Sequence, residues 1–330
     1  MNRRELLAAL ALLAICADPV TVRSQQRSRE AAAKVAILDD APETTRAELW
    51  LRFKRRLAEL GYIEGKNLTV RQRFADGNVG RLAALAAELV AWKPDVVVAV
   101  TTTAAQAAKK ATTDIPIVAL GPADPVKLGL VASLSRPGGN LTGVSQNQAD
   151  IAGKWIQLAR EIAPQTKILA YLTDMANAGE MLVFRSIEEQ ARSIGVQVVV
   201  FDGLAKSRVE HAFATIERDR IDVLVVATTS ALLPQRQQII ESAARLRIPA
   251  IYARHEYPDT GGLLSYGADV GANFRRGAEY VKRILDGARP SELPFEMAST
   301  FEMVINLKTA KALGLAIPPA VLARADEVIE

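Results

Sequence analysis

Nearly the same ten-residue phrase occurs twice in this chain of 330 residues. Asp95-Val-Val-Val-Ala-Val-Thr-Thr-Thr-Ala104 returns as Asp222-Val-Leu-Val-Val-Ala-Thr-Thr-Ser-Ala231. Each copy is a Val-rich apolar run of strand length, then a cluster of hydroxyls, then a helical pattern, which is the order strand, N-cap, helix. Two such units predict two similar α/β halves. At the carboxyl end of a parallel strand, hydroxyls and the free N–H groups of a helix converge where open sheets hold ligands. The two hydroxyl clusters are therefore expected to face each other across a cleft.

The rest of the chain keeps the same cadence. Lys34 to Leu38 reads as a first strand, and Thr44 to Leu60 as an amphipathic helix with Leu49, Phe53, Leu57 and Leu60 on one face. Leu68 to Phe74 alternates as a strand, Arg81 to Trp92 reads as a helix, and Ile115 to Leu120 follows the first phrase as another strand. From Lys167 the order repeats: strand Ile168 to Leu172, helix Glu180 to Ile194, strand Val196 to Phe201, helix Ser207 to Arg218, then the second phrase. The joints correspond too, Phe74-Ala-Asp-Gly77 with Val200-Phe-Asp-Gly203 and Ile115-Pro116 with Ile248-Pro249. Alternation of this kind specifies parallel strands, right-handed crossovers and two doubly wound sheets. Leu141 to Ser145 reads as a crossing strand, Val270 to Leu285 as a helix that returns to the first lobe, Phe301 to Asn306 as a strand and Pro318 to Ile329 as a closing helix. Several crossings predict a hinge of two or three strands.

The length suits two domains of about 150 residues, and a hydrophobic content of 49% supports real cores. The net charge of +4 is interspersed, and aromatic residues are only 5%. Both argue against nucleic acid as a partner. The N-terminus reads as a targeting segment: a basic Asn2-Arg3-Arg4-Glu5, an apolar stretch from Leu6 to Ile15 too short to span a bilayer, and small residues for cleavage. The expected cut follows Ser24, with Ala17 as the other candidate, and Gln25 to Ala33 reads as a polar leader. The twin arginines leave the export route open. Cys16, the only cysteine, follows Ile15 rather than a small residue, so lipid anchoring is the lesser alternative to a soluble periplasmic protein. Its removal would leave no thiol for disulfides, catalysis or metal.

Candidate ligand contacts follow from the strand ends. Thr101, Thr102 and Thr103 offer hydroxyls and helix N–H groups to a carboxylate, and Thr228 and Thr229 do so from the other half; N-capping alone is the competing role. Asp39 and Asp124 are placed to take an ammonium, although Asp124 before Pro125 is also a natural N-cap. Tyr252, Glu256 and Tyr266 lie near the crossing, where a tyrosine either stacks on a ligand or packs at the hinge. Trp50 and Trp155 sit on helical patterns and read as packing. His211 and His255 have no metal-ligand spacing around them, and the nucleophile elbow, the dinucleotide fingerprint and the Walker A loop are missing. No cofactor and no enzyme activity are expected.

Several phrases carry a family resemblance: Glu59-Leu-Gly-Tyr-Ile-Glu-Gly-Lys-Asn-Leu68, Lys93-Pro-Asp-Val96, Asp124-Pro125, Arg136-Pro-Gly-Gly-Asn-Leu-Thr-Gly143, Phe301-Glu-Met-Val-Ile-Asn-Leu-Lys-Thr-Ala-Lys-Ala-Leu-Gly314 and Arg324-Ala-Asp-Glu-Val328. Over essentially the whole mature chain the sequence resembles the substrate-binding proteins of ABC transporters, in the family that includes the tryptophan and tyrosine uptake proteins. The resemblance implies an α/β type I periplasmic-binding-protein fold and delivery of a small ligand, an amino acid or an aromatic or carboxylate compound, to a permease in the inner membrane. It departs from the family at Asp39-Asp40-Ala41-Pro42, where glycine and proline are usual, and at Thr173-Asp-Met-Ala-Asn177, where an Asn-Pro type loop is usual, so Thr173 joins the candidate contacts. Expected boundaries are 1–24 for the signal, 34–143 plus about 264–290 for the first lobe, and 144–263 plus about 295–330 for the second. The protein is expected to act as a monomer. A ligand-sensing regulatory module on this fold, and an α/β enzyme, are the rival functions.

Overall fold

A computed structural model describes residues 32–146 and 148–330. The expected signal over 1–24 and Cys16 lie outside the described residues. Residues 33–330 form one compact unit built on two sheets. The first contains β1 (Ala33–Asp39), β2 (Leu68–Phe74), β3 (Val96–Val100), β4 (Ile117–Leu120) and β5 (Leu141–Ser145), and it later receives a short sixth strand. The second contains β6 (Ile168–Thr173), β7 (Gln197–Asp202), β8 (Val223–Val226), β9 (Ala250–Tyr252) and β10 (Leu264–Ala268). After these come β11 (Glu296–Met297), which joins the first sheet, and β12 (Phe301–Asn306) and β13 (Glu327–Ile329), which join the second. The spatial orders are β11-β5-β4-β3-β1-β2 and β13-β12-β10-β9-β8-β6-β7. Every pairing is parallel except that of β10 with β12.

The continuous apolar runs are the mark of strands buried on both faces, and here each face has its own core. Val35, Ile37, Val96 and Val98 face Trp50, Phe53 and Leu57 of helix Ala47–Glu59 and Phe274 and Val281 of helix Val270–Leu285. Ala36, Leu38, Val97 and Ala99 face Leu82, Ala86 and Leu89 of helix Leu82–Ala91 and Ala104, Ala105 and Ala108 of helix Thr101–Ala111. The second sheet is wrapped in the same way by helices Gln148–Ile162, Ala178–Ser193, Lys206–Arg218 and Arg236–Leu246. Trp50 meets Phe274 edge-on at 4.9 Å between ring centroids. Trp155 is fully buried and its indole N–H donates to the Tyr266 carbonyl at 2.7 Å.

The chain passes between the sheets three times, after β5, after β10 and after β11. Two expectations are corrected. Leu264 to Ala268, expected with the first lobe, is a strand of the second sheet, hydrogen-bonded between β9 and β12; the return to the first lobe begins only with helix Val270–Leu285, whose N-cap is Asp269. Pro318 to Ile329, expected as one helix, is a single turn over Pro319–Leu322 followed by β13. The Asp326 carboxylate accepts from the Met303 N–H at 2.8 Å there and holds that last strand on β12.

Register decides what reaches the cleft. Asp39 pairs with Val100 across β1 and β3, and Leu120 of β4 pairs with Val100 on the other side, so three strands end level. In the second sheet Leu172, Val226 and Tyr252 end level in the same way. The residues just beyond these ends, Asp40, Thr101 and Gly121 in one half and Asp174, Thr228 and Arg254 in the other, are placed at the carboxyl edges by topology alone.

Candidate functional site

Between these edges lies a cavity of about 30 Å³. Asp40, Arg46, Thr101, Thr102 and Gly121 line it from the first half, and Asn177, Glu180, Thr228, Thr229, Ser230 and Arg254 from the second. The two halves touch directly across it. Ser230 donates its hydroxyl to Asp40 Oδ1 at 3.1 Å, and a β-carbon added at Gly179 would stand 2.5 Å from Thr102 Oγ1.

Asp40 is the hub on the first side. It accepts from Arg46 at 3.2 Å and from the hydroxyls of Thr101 at 2.7 Å and Thr103 at 3.2 Å. Thr101 makes its contact from a left-handed backbone conformation, φ +83°. That region is costly for a β-branched side chain, by about 1–3 kcal/mol, and such strain clusters at ligand sites. Asp39 lies beneath, fully buried, accepting from Arg46, from the Trp50 indole at 3.0 Å and from the Ala41 N–H at 3.0 Å. Burial raises its pKa, outweighing the pull of Arg46, and Asp40 adds to the rise.

On the second side Glu180, in the first turn of its helix, is 5% exposed. One oxygen, Oε2, accepts from the hydroxyls of Tyr171 and Thr173, each at 3.0 Å. Burial pushes the carboxyl up to about 7; those hydroxyls oppose the shift, and the nearby charges of Asp174 and Asp40 reinforce it. Asp174 is likewise raised by burial, with Asp202 and Asp40 contributing. Arg254, 4% exposed, directs Nε and Nη2 to the Glu256 carboxylate. Burial works against the Glu256 charge, yet Arg254 outweighs it and holds the carboxyl down to about 2. The Thr228 hydroxyl is buried with no partner. Among the described residues no three His, Cys, Asp or Glu side chains are grouped to hold a metal ion.

Of the expected contacts, Thr101, Thr102, Thr228 and Thr229 line the cavity. Thr103 lies one step back, on Asp40, and Thr173 one step back, on Glu180. Asp39 and Glu256 are behind the two arginines as their counter-ions. Three lie off the cavity. Asp124 caps its own turn, accepting from the N–H groups of Val126 and Lys127. Tyr252 is buried and stacked on Tyr257 with centroids 4.5 Å apart, because it is the last residue of a central strand whose neighbours cover it. Tyr266 stacks on Phe301 across the antiparallel pair β10 and β12. Asp40, Arg46, Glu180 and Arg254 were not read from the sequence. For Asp40 the signal was present, since a strand-end assignment carries an error of a residue or two, but for the arginines nothing local distinguishes them from surface cations.

The family model described as ABC transporter substrate binding protein matches residues 34–329. The chain belongs to that family. A curated relative among these binding proteins is the tyrosine-binding protein of Clostridioides difficile (strain R20291), 28% identical over 263 residues, 80% of this chain and 75% of that one. Of solved structures, a conserved domain protein from Vibrio cholerae O1 biovar eltor superposes with a TM-score of 0.85 at 30% identity, covering 90% of this chain and 99% of that one. An ABC domain in complex with L-Trp from Streptococcus pneumonia superposes with a TM-score of 0.84 at 25% identity, covering 91% and 100%. The type I periplasmic-binding-protein architecture expected from the sequence is the one these structures share with the substrate-binding protein described here.

Proposed function

We propose that this substrate-binding protein is exported, captures a small amino-acid-type ligand between the carboxyl edges of its two sheets, closes over it, and presents the closed form to a permease. The ligand is bound and released unaltered. Contacts made by one ligand to both halves favour closure because they exist only in that form. The observation that carries the reading is the cavity itself, walled by Asp40 and Thr101 on one side and Glu180, Thr228 and Arg254 on the other, with Ser230 hydrogen-bonded across it to Asp40. The names of the relatives, one for tyrosine and one solved with L-Trp, support an amino acid as the ligand class. The basic and apolar N-terminal segment supports export.

The test is solution scattering on protein stripped of ligand by unfolding and refolding, before and after the extracted native ligand is returned. A smaller radius of gyration on return, with the ligand recovered chemically unchanged, is expected. An unchanged radius at saturation, or a chemically altered ligand, counts against this reading.

A further inference from the structure

The cavity surface is mostly polar. Among the described residues its lining contains no aromatic ring and no aliphatic side chain larger than that of Ala123. Rings that stand nearby are already committed: Tyr252 to Tyr257, Tyr266 to Phe301, and Trp50 to Phe53 and Phe274. An indole or phenol ring would find no stacking partner among the residues that line the cavity.

The polar groups left over define what does fit. Glu180 uses only Oε2 for its two hydroxyl donors, and Oε1 has no hydrogen bond to a described residue. Arg254 uses Nε and Nη2 on Glu256, which leaves Nη1 without one among the described residues. The third is the Thr228 hydroxyl, buried and unpartnered in a residue only 6% exposed. A buried polar atom without a partner costs about 1–3 kcal/mol; the Thr228 hydroxyl is one, and the free Glu180 oxygen and Arg254 Nη1 line the same cavity. The Glu180 carboxyl in its ionised form, the Arg254 guanidinium and the Thr228 hydroxyl are together complementary to an ammonium, a carboxylate and one further hydrogen-bonding group.

We propose that the ligand is a small hydrophilic α-amino acid, its ammonium on Glu180, its carboxylate on Arg254 and its side chain or carboxylate completing the Thr228 hydroxyl, and that aromatic amino acids are excluded. This rests on the binding function proposed above and narrows it. The relatives' aromatic ligands do not transfer, because the wall that would hold a ring is here made of hydroxyls, amides and charges.

Stripped protein is screened by thermal shift with glycine, L-serine, L-tyrosine and L-tryptophan, and with ethanolamine and glycolate, which each carry one of the two charged ends. Glycine or L-serine at about a hundred times its dissociation constant should raise the melting temperature, in keeping with the stabilisation that mass action gives. The single-ended compounds should act at least tenfold more weakly, and the aromatic acids not at all. Glu180→Gln should weaken L-serine binding at least tenfold in calorimetry while its circular dichroism spectrum stays that of the wild type; should that variant not fold, the wild-type ranking decides. Stabilisation by L-tyrosine or L-tryptophan, or none by glycine or L-serine, overturns the inference. An aromatic ligand that also closes the protein in scattering would sink this inference alone, whereas no closure with any native ligand would sink the binding function as well.

Discussion

Glu180 keeps its carboxyl among hydroxyls and other acids. It faces Tyr171 and Thr173 from β6, Asp174 from the loop that follows, and Asp40 from the opposite half. With its pKa pushed from the ordinary 4.5 to about 7, the folded protein holds a proton here that the unfolded chain releases. The sign follows from linkage: the contribution is fully present below about pH 4.5 and is lost as pH rises through about 7. Ligand-free wild type should therefore lose stability over that window relative to Glu180→Gln, by up to roughly 3 kcal/mol, in urea denaturation at pH 5 and pH 8. Parallel pH profiles for the two proteins would show that the carboxyl titrates normally. The neighbouring pair Asp39 and Asp40 shows why single residues were the hardest level to read. Both are polar residues at a strand end, yet one turns under helix Ala47–Glu59 to meet Trp50 and Arg46, while the other reaches the cleft. A period of two separates the faces of a strand but does not say where the strand stops.

Elements were far more legible, because buried parallel strands and their covering helices write long periodic signals. The signal failed where an element was short or its role was set by a distant partner. Leu264 to Ala268, expected with the first lobe, lies in the second sheet, since its place depends on pairing with β9 and β12 rather than on its own composition. Close packing of β5 on β4 gives this scale its test. Gly143 pairs with Ala119 at φ +152°, and a β-carbon there would stand 1.9 Å from the Ala119 carbonyl oxygen. That oxygen belongs to a central strand and cannot move without breaking the ladder. Gly143→Ala should cost about 2 kcal/mol or more, seen as a lower urea midpoint. Gly139, four residues earlier, has nothing within 4 Å of such a β-carbon and no left-handed φ, so alanine there should be nearly neutral. Equal midpoints for the two variants would refute the account.

At the scale of the whole molecule, the repeated phrase placed the cleft, and the fold shows why the two copies are not interchangeable. The first runs straight from β3 into helix Thr101–Ala111, whereas the second passes through a loop and a short 3-10 turn, Ser230–Gln235, before its helix. The turn puts the Ser230 hydroxyl on Asp40 of the other half, the same carboxylate that accepts from Thr101 and Thr103 of the first copy, so both copies converge on one acid. The proposed closure also needs the halves to approach without a side chain between them, and Gly179 leaves that space. It is the second residue of helix Ala178–Ser193, its N–H is capped by Asn177 at 2.9 Å, and its Cα faces Thr102. Thr102 cannot easily retreat, being 4% exposed, with its hydroxyl accepting from the Ala123 N–H at 3.2 Å. Gly179→Val should leave each half folded while disfavouring the closed form. Because apparent affinity falls with the fraction of competent molecules, the variant should bind the native ligand about ten- to a hundred-fold more weakly. Its radius of gyration at saturation should exceed that of the liganded wild type, with an unchanged circular dichroism spectrum. A variant that closes to the same radius with wild-type affinity would mean that the contact between Gly179 and Thr102 plays no part in closure.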